Sequence, residues 1–114
     1  MENIIHRGDI FFVDLDSVGY ETRGAHPVVV IQNNIGNYHS HTVIVAIITS
    51  NIHKKRLPTH VNIFARQTGL PKDSLIMTEQ IRTIDKSRLG RIAGRLDNFA
   101  LQELNTAIAI SLGL

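Results

Sequence analysis

Two side chains that can donate or transfer protons stand at the ends of apolar segments in this sequence. His26 follows a loop that contains Gly24 and directly precedes Pro27, which fixes φ and favours an extended backbone for the residue before it. Thr49 ends a second apolar run and is followed by Ser50. Imidazole titrates near pH ~6.5 and can act as a general acid or base, and a hydroxyl can donate to an anion. The pattern predicts an imidazole and a hydroxyl held over one anion-binding groove.

Length and composition limit the classes of protein to which the chain can belong. With 114 residues, it is expected to form one domain, residues 1–114, whose core needs no metal or disulfide. There is no cysteine, which excludes disulfides, thiolate zinc sites and a cysteine nucleophile. The sequence has no leader-like start and no apolar run near the ~20 residues that cross a bilayer, so a cytoplasmic protein is expected.

Positive charge is distributed unevenly along the chain. Twelve Lys and Arg against ten Asp and Glu give a formal net charge of +2, which permits nucleic-acid binding without requiring it. Basic residues cluster in one connection, residues 53–56, and recur later at Arg82, Lys86, Arg88, Arg91 and Arg95. Local basic faces matter more than net charge for binding a phosphate backbone. The alternative interpretation is an ordinary solvated surface.

The elements that must position His26 and Thr49 are mostly short strands. Five segments are predicted as strands from their β-branched and aromatic residues: residues 10–15, 28–32, 42–48, 59–63 and 74–78. The third shows almost no alternation, which indicates burial on both faces, whereas the fourth alternates and is predicted to be half-exposed. Two further segments are predicted as a long polar loop and a turn, residues 16–25 and 33–37.

Helical signals are confined to the later part of the chain. Residues 85–89 are predicted to form one helical turn, capped by Asp85 and stopped by Gly90. From Asp97, the predicted N-cap, apolar residues recur every three or four positions, at Leu101, Leu104, Ile108 and Leu112. Short strands followed by an amphipathic C-terminal helix predict a small, strongly bent antiparallel sheet or barrel with the helix packed against it.

Five motifs, in order, resemble the MazF/PemK (Kid) family of bacterial toxins. They are residues 7–10 (RGDI), residues 24–33 (GAHPVVVIQN), Thr49, residues 57–61 (LPTHV) and residues 79–89 (EQIRTIDKSRL). The resemblance runs from about residue 7 to residue 112 and is closest to the MazF branch of Gram-positive bacteria. It implies a mainly β fold with α (α+β), a small SH3-like antiparallel barrel of about five or more strands with a short helical turn and a C-terminal helix.

The resemblance also implies an activity and partners. Members of the family are sequence-specific endoribonucleases that need no metal or other cofactor. They cleave single-stranded RNA, chiefly mRNA, by attack of the ribose 2′-hydroxyl on the adjacent phosphate, which leaves 2′,3′-cyclic phosphate and 5′-hydroxyl ends. They act as homodimers and are neutralised by a cognate antitoxin. Such cleavage requires removal of the 2′ proton, donors to the phosphate oxygens and a proton for the departing 5′ oxygen.

The sequence departs from the family pattern at one of the two implied catalytic positions. Thr49 matches the family's threonine, but His26 stands where relatives of the MazF branch carry an arginine. A histidine can act as general acid or base more readily than a guanidinium, so activity can survive. If the arginine serves chiefly as a fixed charge on the phosphate, the enzyme is weak or inactive. Arg23, where close relatives carry small residues, is a candidate to return the missing cation.

Further residues are implied to bind RNA near this site. Gly24 allows close approach of the backbone to a phosphate, and Ser50 extends the polar edge begun by Thr49. By resemblance, Glu79, Gln80 and Arg82 lie near the RNA path, with Gln80 able to pair with a base edge and Arg82 with a phosphate. For Glu79 and Arg82, the alternative is a structural ion pair that shapes the turn.

Two other functions stay open at the level of the sequence. The first is a catalytically weak or inactive RNA-binding member of the same fold, because His26 replaces the usual arginine. The second is a gyrase poison, since the CcdB toxins share this barrel fold without cleaving RNA. The threonine that follows an apolar strand argues against the second alternative.

Overall fold

The computed structural model describes residues 4–14, 25–53 and 55–114. Within these ranges lie six strands: β1 (Asp9–Asp14), β2 (Ala25–Val30), β3 (Thr42–Thr49), β4 (His60–Ile63), β5 (Ser74–Asp85) and β6 (Leu89–Arg95). The same ranges contain three α-helices and one 3-10 turn: α1 (Asn34–His39), α2 (Ala65–Thr68), α3 (Asn98–Leu112) and the turn Lys86–Arg88.

The strands form one antiparallel sheet in the order β4-β5-β3-β2-β1-β6. In the described part of the chain, β4 and β6 are its two edges, and α2 packs against β6. A Cβ at Gly94 of β6 would overlap the carbonyl oxygen of Thr68 in α2. Glycine at this position allows the close approach, so α2 helps to close a barrel-like fold. The predicted mainly β fold with a C-terminal helix is confirmed.

The core occupies both faces of the sheet, as the lack of alternation in β3 predicted. On one face, Ala46 and Ile48 belong to a cluster that includes Leu104 and Ala107 of α3. On the opposite face, Val45 and Ile47 belong to a second cluster, together with Phe11, Val13, Val28, Val30, Val43, Met77 and Ile84. The run from Val45 to Ile48 is therefore buried on both faces, and Thr49, which follows it, is partly exposed.

The predicted fifth strand was too short, and a sixth was missed. β5 continues to Asp85, and its pairing with β3 shifts between Ala46 and Ile47, whose partners are Ile81 and Met77. Three residues of β5, Thr78, Glu79 and Gln80, therefore fall in an irregularity of the ladder. β6 contains Gly90, which was predicted to stop a helical turn. A Cβ there would lie 2.6 Å from the Phe12 carbonyl oxygen, so glycine allows β6 to approach β1.

Several local predictions are confirmed and others are wrong. Asp85 and Asp97 cap the 3-10 turn and α3, each by accepting a backbone N–H. Residues 33–37, predicted as a turn, instead supply most of α1, whose N-cap is Asn33. Leu112 is 55% exposed, so it does not join the buried stripe of α3. β4 is more buried than predicted, because His60, Val61 and Ile63 are all buried.

Candidate functional site

His26 and Thr49 come from neighbouring strands and share one face of the sheet. The last paired residues of β2 and β3 at this end are Val28 and Ile47. Extending the same register by two residues sets His26 opposite Thr49. Because side chains alternate along a strand, His26 lies on the face of Val28 and Thr49 on the face of Ile47. Both of these apolar residues belong to one buried cluster, so the imidazole and the hydroxyl are on the same side.

The two side chains stand where a buried core meets solvent. His26 is paired with Val13 of β1, and Thr49 is paired with Leu75 of β5. Val13 and Leu75 are buried, whereas His26 and Thr49 are each half-buried. Buried apolar neighbours on the adjacent strands limit the hydration of these polar groups without removing access from solvent. This arrangement suits a site for an extended polar ligand.

The Thr49 hydroxyl is held by a local turn. Its Oγ1 atom accepts a hydrogen bond from the backbone N–H of Asn51 at 3.1 Å. The Ser50 carbonyl accepts from the backbone N–H of Ile52 at 3.0 Å, which fixes the same turn, and Ser50 itself is exposed. Since the N–H group occupies an acceptor position on Oγ1, the hydroxyl proton can point to a ligand.

Glu79 is bonded to residues that precede and begin β4. Its Oε1 atom accepts from the Thr59 hydroxyl at 2.7 Å, and its Oε2 atom lies 2.9 Å from Nε2 of His60. Burial raises the pKa of Glu79, but the hydrogen bonds from Thr59 and His60 outweigh it, so its pKa lies below the ordinary value of 4.5. Both carboxylate oxygens thus have partners, and the ionised form is favoured.

His60 is a residue of this region whose contacts sequence reasoning missed. Its side chain is fully buried. Its Nδ1 atom accepts a hydrogen bond from the backbone N–H of Leu57 at 3.2 Å, so the neutral ring carries its proton on Nε2 and donates to Glu79. The LPTHV motif contained His60, but no feature of the sequence linked it to a residue 19 positions later.

Gln80 and Arg82 lie on β5, the strand that pairs with β3. Gln80 falls in the irregularity of the ladder, and Arg82 is paired with Val45 of β3. Both side chains are half-buried and take part in interactions within the fold. Val45 is four residues before Thr49 on the same face, so Arg82 is about 13 Å along the sheet from it. One extended polymer could therefore contact both Arg82 and Thr49.

Exposed basic residues follow Thr49 in the connection to β4. Lys55 and Arg56 are exposed. With the amide of Asn62 oriented so that its oxygen faces the guanidinium, this oxygen accepts from both terminal nitrogens of Arg56, at 2.6 and 2.7 Å. One end of the connection therefore presents a cation held against β4.

Two predicted site residues, Arg23 and Gly24, lie outside the described residues. In the described ranges, no group of three or more His, Asp or Glu side chains is arranged to hold a metal ion. No helix among the same residues is long and apolar enough to cross a membrane.

Comparison with known proteins gives one family across nearly the whole chain. Residues 6–112 match the family described as PemK-like, MazF-like toxin of type II toxin-antitoxin system. The chain is 51% identical over 112 residues to "Endoribonuclease EndoA" of Bacillus subtilis (strain 168), covering 97% of both chains. It is 50% identical over 112 residues to "Endoribonuclease MazF" of Staphylococcus saprophyticus, covering 97% of this chain and 93% of the relative. The predicted resemblance, including its Gram-positive branch, is confirmed.

Solved structures give the same fold. A mycobacterial endoribonuclease in complex with its cognate antitoxin has a TM-score of 0.82 at 29% identity, covering 96% of each chain. MazF from Deinococcus radiodurans has a TM-score of 0.79 at 18% identity, covering 99% of this chain and 100% of that one, which is evidence for the fold alone.

Proposed function

Because the chain belongs to the PemK-like and MazF-like toxin family of type II toxin-antitoxin systems, we propose that it is a toxin endoribonuclease that cleaves single-stranded RNA, chiefly mRNA. The observation that carries this proposal is about 50% identity, over 112 residues, to two proteins named endoribonucleases. The shared face of His26 and Thr49 supports it independently. Sequence specificity is part of the proposal, because the loops around these residues would contact neighbouring bases.

The proposed reaction is an internal transesterification. The ribose 2′ oxygen attacks the adjacent phosphorus as it loses its proton, and the bond from phosphorus to the 5′ oxygen breaks as that oxygen gains one. The products are a 2′,3′-cyclic phosphate and a 5′-hydroxyl end. His26 would transfer a proton, and Thr49 would donate a hydrogen bond to a non-bridging phosphate oxygen. Arg23 would supply the cation that the family's arginine supplies elsewhere.

The remaining predicted residues would extend the RNA-binding surface. Gly24 and Ser50 flank His26 and Thr49 in sequence and would contact the phosphate backbone. Gln80 would pair with a base edge, and Arg82 would bind a phosphate further along the strand. Glu79 would belong to the same surface, next to Gln80. No metal or other cofactor enters this mechanism.

The proposed partners are a cognate antitoxin and a second copy of the chain. A relative solved with its antitoxin supports the first. Large apolar side chains exposed along and beyond α3 support an interface between protomers: Phe99, Ile110, Leu112 and Leu114. An acidic antitoxin segment would compete with RNA for the same groove. We propose one domain over residues 1–114 and action in the cytoplasm, where mRNA is found.

A catalytically weak or inactive RNA-binding protein is the second candidate, favoured by one observation. His26 occupies the position of the family's arginine, and a neutral imidazole lacks the fixed, forked charge of a guanidinium. Under this alternative, the protein would bind RNA and leave the strand intact.

Incubation of the purified protein with a long RNA in excess chelator separates the two candidates. The endoribonuclease should produce fragments with 5′-hydroxyl and 2′,3′-cyclic phosphate ends at recurring sequences, which end-specific labelling detects. Intact RNA bound by the folded protein would overturn the proposed activity and favour the second candidate. Unchanged supercoiling of DNA by gyrase in a parallel reaction would argue against the CcdB-like alternative.

A further inference from the structure

The connection between β3 and β4 is fixed at both of its ends. We call its described residues, 50–53 and 55–59, the basic connection. It begins directly after Thr49, whose Oγ1 atom accepts the backbone N–H of Asn51. It ends at Thr59, next to buried His60. The two attachments thus hold the ends of the segment that joins the predicted catalytic Thr49 to β4.

Four residues form the attachment at the far end, and we call them the anchoring cluster: Leu57, Thr59, His60 and Glu79. Glu79 accepts from the Thr59 hydroxyl at 2.7 Å and from Nε2 of His60 at 2.9 Å. The His60 ring accepts the backbone N–H of Leu57 at 3.2 Å, and the Leu57 carbonyl accepts the backbone N–H of His60 at 3.0 Å. One carboxylate on β5 thus contacts Thr59 and His60 directly, and the His60 ring links it to the backbone of Leu57.

The base of the anchoring cluster is tied to the core. Thr78, which is fully buried, donates its hydroxyl to the Thr59 carbonyl at 2.7 Å and also lies 3.2 Å from the Ala107 carbonyl of α3. Its own carbonyl accepts from the Ser111 hydroxyl at 2.8 Å. The backbone around Thr59 and Thr78 is therefore held by α3, and the Glu79 bonds are added on the solvent side.

We propose that Thr59 and His60 are positioning residues that act through Glu79 to hold the basic connection in the conformation that receives RNA. This inference rests on the proposed function. It assigns Glu79 an indirect part in RNA binding, because both of its carboxylate oxygens already accept hydrogen bonds within the fold. Loss of the cluster should weaken RNA binding more than it slows the chemical step, since no member is a reacting group.

Thr59→Val is the test variant, because it removes one donor to Glu79 and leaves the Thr59 backbone bonds in place. On a short RNA that carries the mapped cleavage sequence, KM should rise about fivefold while kcat stays within about twofold, as expected for loss of one hydrogen bond that positions the site. Thr59→Ser should restore KM. Thr106→Val removes an exposed hydroxyl from α3 and should leave both constants unchanged.

Amide hydrogen exchange supplies a measurement that does not depend on cleavage. In Thr59→Val, exchange at the Leu57 amide should accelerate about fivefold relative to wild type, with the free energy of unfolding nearly unchanged. If KM or exchange at Leu57 is unchanged in Thr59→Val, the positioning role is overturned. Cleavage of RNA by wild type in the same experiment would leave the proposed function intact. Wild type that cleaves no RNA would overturn the proposed function, and the positioning role with it.

Discussion

The buried His60 ring and the Glu79 carboxylate meet at 2.9 Å across two neighbouring strands. This contact satisfies one nitrogen of a fully buried ring, and the Leu57 N–H satisfies the other. A buried polar group that loses its partners contributes a large unfavourable free energy. The pair therefore stabilises the fold as well as the basic connection.

We predict that His60→Ala lowers the free energy of unfolding by about 2–4 kcal/mol, because it leaves a cavity and removes partners from Leu57 and Glu79. Urea unfolding followed by circular dichroism measures this loss. His41→Ala, at an exposed histidine, is the matched control and should change stability by less than about 0.5 kcal/mol. Equal effects of the two substitutions would contradict the structural role of His60.

The lowered pKa of Glu79 predicts a pH-dependent contribution to stability. The folded state favours the ionised carboxylate, so this contribution is fully present above the ordinary value of 4.5 and is lost as pH falls through the lower folded value. Glu79→Gln should therefore be less stable than wild type at about pH 7, and the gap should narrow as pH falls below 4.5.

Urea midpoints of wild type and Glu79→Gln, measured from neutral to acidic pH, give this gap directly. Glu103→Gln changes an exposed carboxylate on α3 and serves as the control for the loss of one negative charge. A gap between wild type and Glu79→Gln that stays constant down to acidic pH would contradict the linkage.

Sequence reasoning could propose His26 and Thr49 as site residues because their signals are local. Pro27 sets the backbone at His26, and the end of an apolar run exposes Thr49, so two short segments were enough. The link between His60 and Glu79 had no such signal. This link forms because Glu79, in the irregular part of β5, lies beside His60 at the start of β4. Only the pairing of the two strands in the folded chain brings them together.

The two elements that the sequence did not predict, β6 and α1, contain residues that usually interrupt secondary structure. Gly90 and Gly94 weaken strand propensity in β6, yet their missing side chains allow Phe12 and Thr68 to approach. Asn33 favours turns, but the same side chain caps α1 by accepting a backbone N–H. In both places, residues that usually interrupt secondary structure are used to pack or begin it.

Gly94→Ala should destabilise the protein by about 3 kcal/mol, at the upper end of overpacking costs, because its Cβ would overlap the Thr68 carbonyl oxygen. Thermal and urea unfolding measure the effect. Gly113→Ala is the control: its φ is +72°, but nothing lies within 4 Å, so only the backbone term of about 1 kcal/mol applies. A milder effect at Gly94 than at Gly113 would mean that α2 does not pack on β6.

The identity of residue 26 should appear in the pH dependence of cleavage. If His26 transfers a proton, the single-turnover rate of wild type varies between about pH 5.5 and 8, and His26→Arg moves the optimum to higher pH. His41→Arg adds the same charge at an exposed position and should leave the profile unchanged. A flat wild-type profile over this range would remove His26 from proton transfer.

Thr49→Ala should abolish most cleavage while the protein stays folded. In the proposed mechanism the hydroxyl donates to a phosphate oxygen, and loss of such a donor slows catalysis about 10²- to 10³-fold. The Asn51 N–H is exposed and regains a water, so the free energy of unfolding should change by less than about 1 kcal/mol. Thr49→Ser keeps the donor and should keep most of the rate. Thr49→Ala removes the hydroxyl and leaves the backbone unchanged. Rapid cleavage by this variant would therefore place the reaction elsewhere on the surface.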